Sequence, residues 1–66
     1  MEILIKNGNT ITFRNTDYVY VSSEKVDDNS VHINFEEQTN IFLVVDTELN
    51  GIVYSNADAL IESLNS

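Results

Sequence analysis

Few side chains in this 66-residue sequence have the chemistry for catalysis or metal binding. Histidine is the one side-chain type that exchanges protons near neutrality without help, and His32 is the only one present. General acid–base work would need a nucleophile or carboxylate held against the imidazole. His32 instead alternates with Val31 and Ile33 and shares a wet strand face with Asn34 and Glu36, so an exposed strand histidine is expected. Asp46, Glu48, Asn50 and Gly51 match the opening of a calcium loop, where oxygen ligands two apart wrap a hard cation. The match fails further on. Ala57 stands where the closing bidentate glutamate belongs, and the third position is Glu where Asp or Asn is usual. A hairpin turn at Asn50-Gly51 is the expectation, because both residue types accept positive φ. Asp27-Asp28-Asn29-Ser30 has no ligand spacing and reads as a solvated turn. Without cysteine, one histidine cannot build the usual zinc site. Gly8 and Gly51, the only glycines, lie outside any phosphate-cradling loop. No catalytic residue, metal or cofactor is therefore expected.

Three bases remain. Hairpin pairing would bring Lys6 near Arg14, so with Lys25 they could meet within the chain or across a dimer and hold a small anion. Against them stand eleven acids, for a net charge of −8. Such a surface is repelled by nucleic-acid backbones and by anionic membranes, and it suits basic partners, nucleic-acid-binding grooves among them. Tyr18 and Tyr20, two apart, share one face of a strand. They either complete the core with their hydroxyls at its rim or, if Val19 and Val21 take the core, stand outside as an aromatic patch.

The elements that must position these groups are mostly strands. Met1, Ile3 and Ile5 alternate with Glu2, Leu4 and Lys6, Asn7-Gly8-Asn9 signals a turn, and Ile11 and Phe13 resume the pattern as inward residues. Asn15-Thr16-Asp17 is a polar break before a strand over Tyr18–Val21, and Ser22–Lys25 is either its continuation or a loop. Val31, Ile33 and Phe35 mark the next strand. Ile41–Val45 has no polar alternation, which predicts a central strand covered on both faces, with Ile52–Tyr54 returning across Asn50-Gly51 as its hairpin partner. Ala57, Leu60, Ile61 and Leu64 then form the stripe of a helix begun at Ser55 and Asp58 and stopped at Asn65. The fold class is α+β and mostly β: an antiparallel meander of five or six short strands, as a twisted sheet or small open barrel, with one C-terminal amphipathic helix. Residues 1–66 make one domain.

A domain this short buries only ~60% of its unfolded surface, which favours self-association as a dimer or larger oligomer. No leader pattern and no apolar run near the ~20 residues of a membrane span is present, and with the lack of cysteine this favours the cytoplasm. The function expected is a non-enzymatic, acidic protein-interaction module, a virus- or plasmid-encoded inhibitor or accessory factor that occupies a basic surface of its partner. Its contact residues would be Tyr18, Tyr20, Glu24, Asp27, Asp28, Glu36 and Glu37. The alternative is an oligomer that binds a small anion or nucleotide in pockets between subunits.

Overall fold

Alternation over the first residues becomes a hairpin in the computed structural model, which describes residues Met1–Ser66. β1 (Glu2–Asn7) and β2 (Thr10–Phe13) pair antiparallel with Leu4 opposite Phe13 and Lys6 opposite Ile11. Gly8 supplies the left-handed first residue of the two-residue turn, φ 63°, where a side chain would be strained. Leu4, Ile11 and Phe13 are buried, while Ile3 and Ile5 face solvent. The apolar pair on β1 thus points away from the core. Leu4 is inside because its register partner Phe13 is.

The next turn centres on Arg14 and Asn15, both at positive φ, and Thr16 already belongs to β3 (Thr16–Asp27). The twelve residues of β3 include Ser22–Lys25, so that stretch continues the strand. Its first part pairs with β2, and from Tyr20 onward it pairs with β4 (Ser30–Phe35). Register shifts at Val21 and Val26 bend the strand, as bulges do. The bend rolls the sheet. Phe13 on β2 meets Phe42 on β5 (Thr39–Leu43) edge-on at 5.1 Å, although β3 and β4 lie between them in the sheet.

A single 3-10 turn, Val44–Asp46, leads to β6 (Thr47–Leu49), which lies parallel to β1, and β7 (Ile52–Val53) returns beside β6. Seven strands run in the order β5-β4-β3-β2-β1-β6-β7, and the roll stays open. The expected mostly-β fold with a C-terminal helix is present, with more strands than expected and one parallel pair.

Two expectations for the last third need correction. Ile41–Val45 is not a central strand: Ile41–Leu43 end the edge strand β5 and Val44–Val45 begin the 3-10 turn, with Phe42 and Val44 buried and Ile41, Leu43 and Val45 at 62%, 52% and 59% exposure. The run alternates in space without alternating in sequence, because the one helix covers only the concave side of the sheet. Nor does it pair with Ile52–Tyr54. A two-residue turn at Asn50 (φ 51°) and Gly51 (φ 85°) forces its flanking residues to pair, so Leu49 stands opposite Ile52 and Glu48 opposite Val53.

Helix α1 (Ala57–Leu64) lids the roll with Ala57, Leu60 and Leu64 buried. Its N-cap is Asn56, one residue beyond the expected Ser55, with Oδ1 accepting from the Ala59 amide at 2.9 Å. Asn65 is the C-cap, as expected. An eight-residue helix would not persist alone. Its place is fixed by burying Leu60 and Leu64, ~1.5–3 kcal/mol each, and by the Ala57 amide donating to the Asp28 carbonyl at 2.9 Å. No helix is long and apolar enough to cross a membrane.

Candidate protein-binding surface

The two faces of β3 settle where the tyrosines go. Tyr18 stacks on Phe35 at 5.0 Å between ring centroids. Tyr20 donates to Asn65 Oδ1 at 2.9 Å, which leaves Ser23 Oγ, 2.8 Å away, as donor to the phenol oxygen. Both rings are half-buried against the core, so of the two arrangements open to this strand the chain adopts the one with Val19 and Val21 outside. Among the residues that β3 offers to solvent are Val19, Val21 and Val26 and also Glu24, whose carboxylate accepts from Asn34 Nδ2 at 3.0 Å.

The other predicted contact residues separate along the sheet. Asp27 closes its own turn, accepting from the Asn29 amide at 2.8 Å. Asp28 pairs with Lys25 Nζ at 3.1 Å. Glu36 and Glu37 sit exposed in the turn between β4 and β5, at the opposite end of β4 from Asp27 and Asp28. The seven residues named from sequence therefore do not converge on one patch. Two line the core rim and five are spread over the outer face and the two ends of the β3–β4–β5 sheet.

Lys6 and Arg14 do not meet. Lys6 stands opposite Ile11, with its ammonium donating to the Gly8 carbonyl at 2.8 Å and lying 5.5 Å from the Tyr20 ring centroid. Arg14 leans back over Phe13 and forms an ion pair with Glu2 at 2.6 Å. That hydrogen bond, and then the Glu2 charge, hold the guanidinium above its ordinary pKa. Lys25 bridges Asp28 and Asp58, 3.1 and 3.2 Å away, and hydrogen bonds to both, Asp28 first, raise its pKa. Each cation is engaged within its own chain, and Lys6 and Arg14 form no anion site within one chain.

The calcium-like spacing is dispersed in the same way. Asp46 ends the 3-10 turn, Glu48 lies on β6, and the Asn50 side chain clasps the Lys6 backbone, accepting from its amide at 2.8 Å. No three histidine or acidic side chains gather where they could hold a metal. His32 lies between Glu24 of β3 and Ile41 of β5 on the convex face, half-exposed and outside any cleft. A shallow depression of about 300 Å³ between β1 and β2 is lined by Glu2, Ile3, Ile5, Thr12 and Arg14, whose one cation is already paired.

The feature that sequence reasoning missed is the free edge of β5. Its outward residues are Thr39, Ile41 and Leu43. The signal was available: a five-residue apolar run closely preceded by a polar turn and followed by an acid is short enough to be an edge, and its bulkiest member, Phe42, fixes which alternate residues turn inward. No protein-family model, curated protein or solved structure matches this chain.

Proposed function

We propose that this chain is a non-enzymatic interaction module that binds a protein with a basic surface. One observation carries the reading. Arg14 and Lys25 form the chain's ion pairs, with Glu2 and with Asp28 and Asp58, while the Lys6 ammonium donates to the Gly8 carbonyl and neutralises no acid. Eleven acids less those three leaves eight carboxylates without a cation. Uncompensated charge of this density favours association with a cationic partner and speeds encounter with it. In this reading the module is a virus- or plasmid-encoded inhibitor or accessory factor in the cytoplasm, masking a groove that would otherwise hold nucleic acid. Self-association belongs to the same reading, because Met1, Ile3 and Ile5 leave apolar area at the surface that a second copy would cover.

Affinity capture from the source cell, followed by elution in rising salt, tests it. Screening shortens the reach of charge to ~8–10 Å at 0.10–0.15 M ionic strength, so the captured protein is expected to be basic and to elute as salt rises. Capture that ignores salt, or that brings down acidic proteins, would remove the premise.

A further inference from the structure

Of the two edges of the open sheet, one is blunted and one is not. β7 has two residues, too few to template another strand. β5 has five, Thr-Asn-Ile-Phe-Leu, with none of the lysines, prolines or bulges that ordinarily protect an edge. The ladder with β4 shows which of its backbone groups are free. The Phe35 amide donates to the Gln38 carbonyl at one end, and the Val44 amide donates to the Asn29 carbonyl at the other, both at 2.8 Å. Antiparallel ladders alternate bonded and non-bonded pairs. Asn40 and Phe42 therefore bond inward to β4, and Thr39, Ile41 and Leu43 aim their amides and carbonyls off the edge. One is partly occupied: the Leu43 carbonyl accepts from Thr47 Oγ1 at 2.8 Å. The same three residues carry their side chains outward, with Ile41 and Leu43 more than half exposed.

We infer that β5 is a docking edge at which an extended, basic segment of a partner protein adds as an eighth, antiparallel strand. Main-chain bonds to Thr39, Ile41 and Leu43 would supply registry, and the exposed Ile41 and Leu43 would take alternate apolar side chains of the incoming segment. Charge selects the occupant. Glu36 and Glu37 flank the edge at one end and Asp46 at the other. A second copy pairing two-fold about Ile41 would set Glu36 opposite Asp46 of the other copy at both ends, with −8 already on each chain. A segment with lysine or arginine at its ends and alternating apolar residues between meets those carboxylates with the opposite sign. A seven-residue strand spans ~20 Å at ~3.4 Å per residue, which matches the stretch from Gln38 to Val44. This inference rests on the basic-partner reading and says where and in what conformation that partner would bind.

The probe is a synthetic peptide of alternating valine and threonine ended by lysine pairs, with a serine-ended version and a glutamate-ended version beside it. Binding to the isotope-labelled full chain is followed by amide shifts and hydrogen exchange. With the lysine-ended peptide, the Thr39, Ile41 and Leu43 amides are expected to shift and gain protection, and the glutamate-ended peptide is expected to leave them unchanged. Ile41→Pro removes the central outward amide at a position where the native sheet makes no bond, and should weaken binding about tenfold or more. Ile41→Lys, which keeps the backbone, should weaken it through charge and guards against a folding defect in the proline variant. Shifts that map outside β5, no binding of the lysine-ended peptide, or undiminished binding by both variants would overturn the edge; the first of these leaves the acidic-surface reading standing. Equal binding of the serine-ended peptide at β5 would keep the edge and remove the role of charge. A doubling of native mass abolished by Ile41→Lys would assign the edge to a second copy and overturn the inference.

Discussion

Adjacent residues on β5 should differ sharply in what they contribute to stability. Phe42 is 3% exposed and meets Phe13 edge-on at 5.1 Å, whereas Ile41 is 62% exposed on the convex face. Truncating a buried phenylalanine to alanine costs ~3–5 kcal/mol, part of it the ~0.5–1.5 kcal/mol specific to an aromatic pair. An exposed substitution outside any special feature stays within ~0.5 kcal/mol. The expected gap between Phe42→Ala and Ile41→Ala is therefore ~2.5 kcal/mol or more. At ~4–8 °C per kcal/mol for a domain of this size, that is at least ~10 °C in Tm. Total stability of a 66-residue domain, at ~0.05–0.15 kcal/mol per residue, is only ~3–10 kcal/mol. Phe42→Ala could abolish folding outright, so Phe42→Leu belongs in the set as the milder change. Urea titration followed by circular dichroism gives the midpoints and, from constant m-values, shows that unfolding stays two-state. Comparable losses at Ile41 and Phe42 would mean that both faces of the strand are covered, and the edge placement of β5 would be wrong.

Asn56→Ala removes the acceptor for the Ala59 amide and should cost ~1 kcal/mol, with faster hydrogen exchange confined to the first turn of α1; a neutral result would mean that the cap does not hold in solution. Gly51→Ala places a Cβ at φ 85° and should cost ~1–2 kcal/mol, loosening β6 and β7 before the rest of the sheet; equal stability would mean that the turn has another geometry. Lys25 has its pKa raised by Asp28 and then Asp58, so its stabilising effect is complete below the ordinary lysine value of 10.5 and is lost as pH climbs through the raised value. Thermal midpoints of the native chain and Lys25→Met should therefore converge in strongly alkaline solution and differ below it, and parallel curves would refute the bridge. Sedimentation equilibrium of the isolated chain should report a mass above that of the 7.5 kDa monomer, increasing as salt screens the acidic surface; a monomer at every salt concentration would remove self-association from the proposed function.

Legibility differed along the chain because different physics governs its parts. The first hairpin and the helix are local. Gly8 sets the turn, Ile11 and Phe13 set the inward face of β2, and Ala57, Leu60 and Leu64 define a stripe that any sheet could bury. Those elements could be read directly. The 41–45 stretch could not, because an apolar run states only which residues tolerate burial. Whether both faces are covered depends on how many layers the fold has, and one eight-residue helix can cover only one side of a seven-stranded sheet. Counting the available lids would have placed Ile41 and Leu43 in solvent. The parallel pairing of β1 with β6 was equally hidden, since Thr47–Leu49 is three residues long and its partner is more than forty positions away. The turn nevertheless implied β6: once Asn50-Gly51 is a two-residue loop, Glu48 and Leu49 have to be strand.

The candidate site follows the same division. Composition alone told that acids outnumber bases, but the pairing that isolates eight carboxylates is a tertiary fact, fixed when Lys25 reaches Asp58 across the start of α1 and Arg14 reaches Glu2 across the first hairpin. The tyrosines were candidates for contact because two aromatic residues on a polar strand are conspicuous in sequence. In the folded chain they close the rim of a core too small to do without them, and the apolar surface that β3 and β5 show to solvent passes to Val19, Val21, Val26, Ile41 and Leu43. Burial in so short a chain is limited by geometry: a rolled single sheet has one inside, and every strand must put alternate residues on the other face. Where those alternate residues are threonine, as on β2, the face is quiet. On β5 they include isoleucine and leucine beside unpaired backbone, and that coincidence of apolar side chain and free main chain makes this edge, more than the tyrosines, the place to look for a partner.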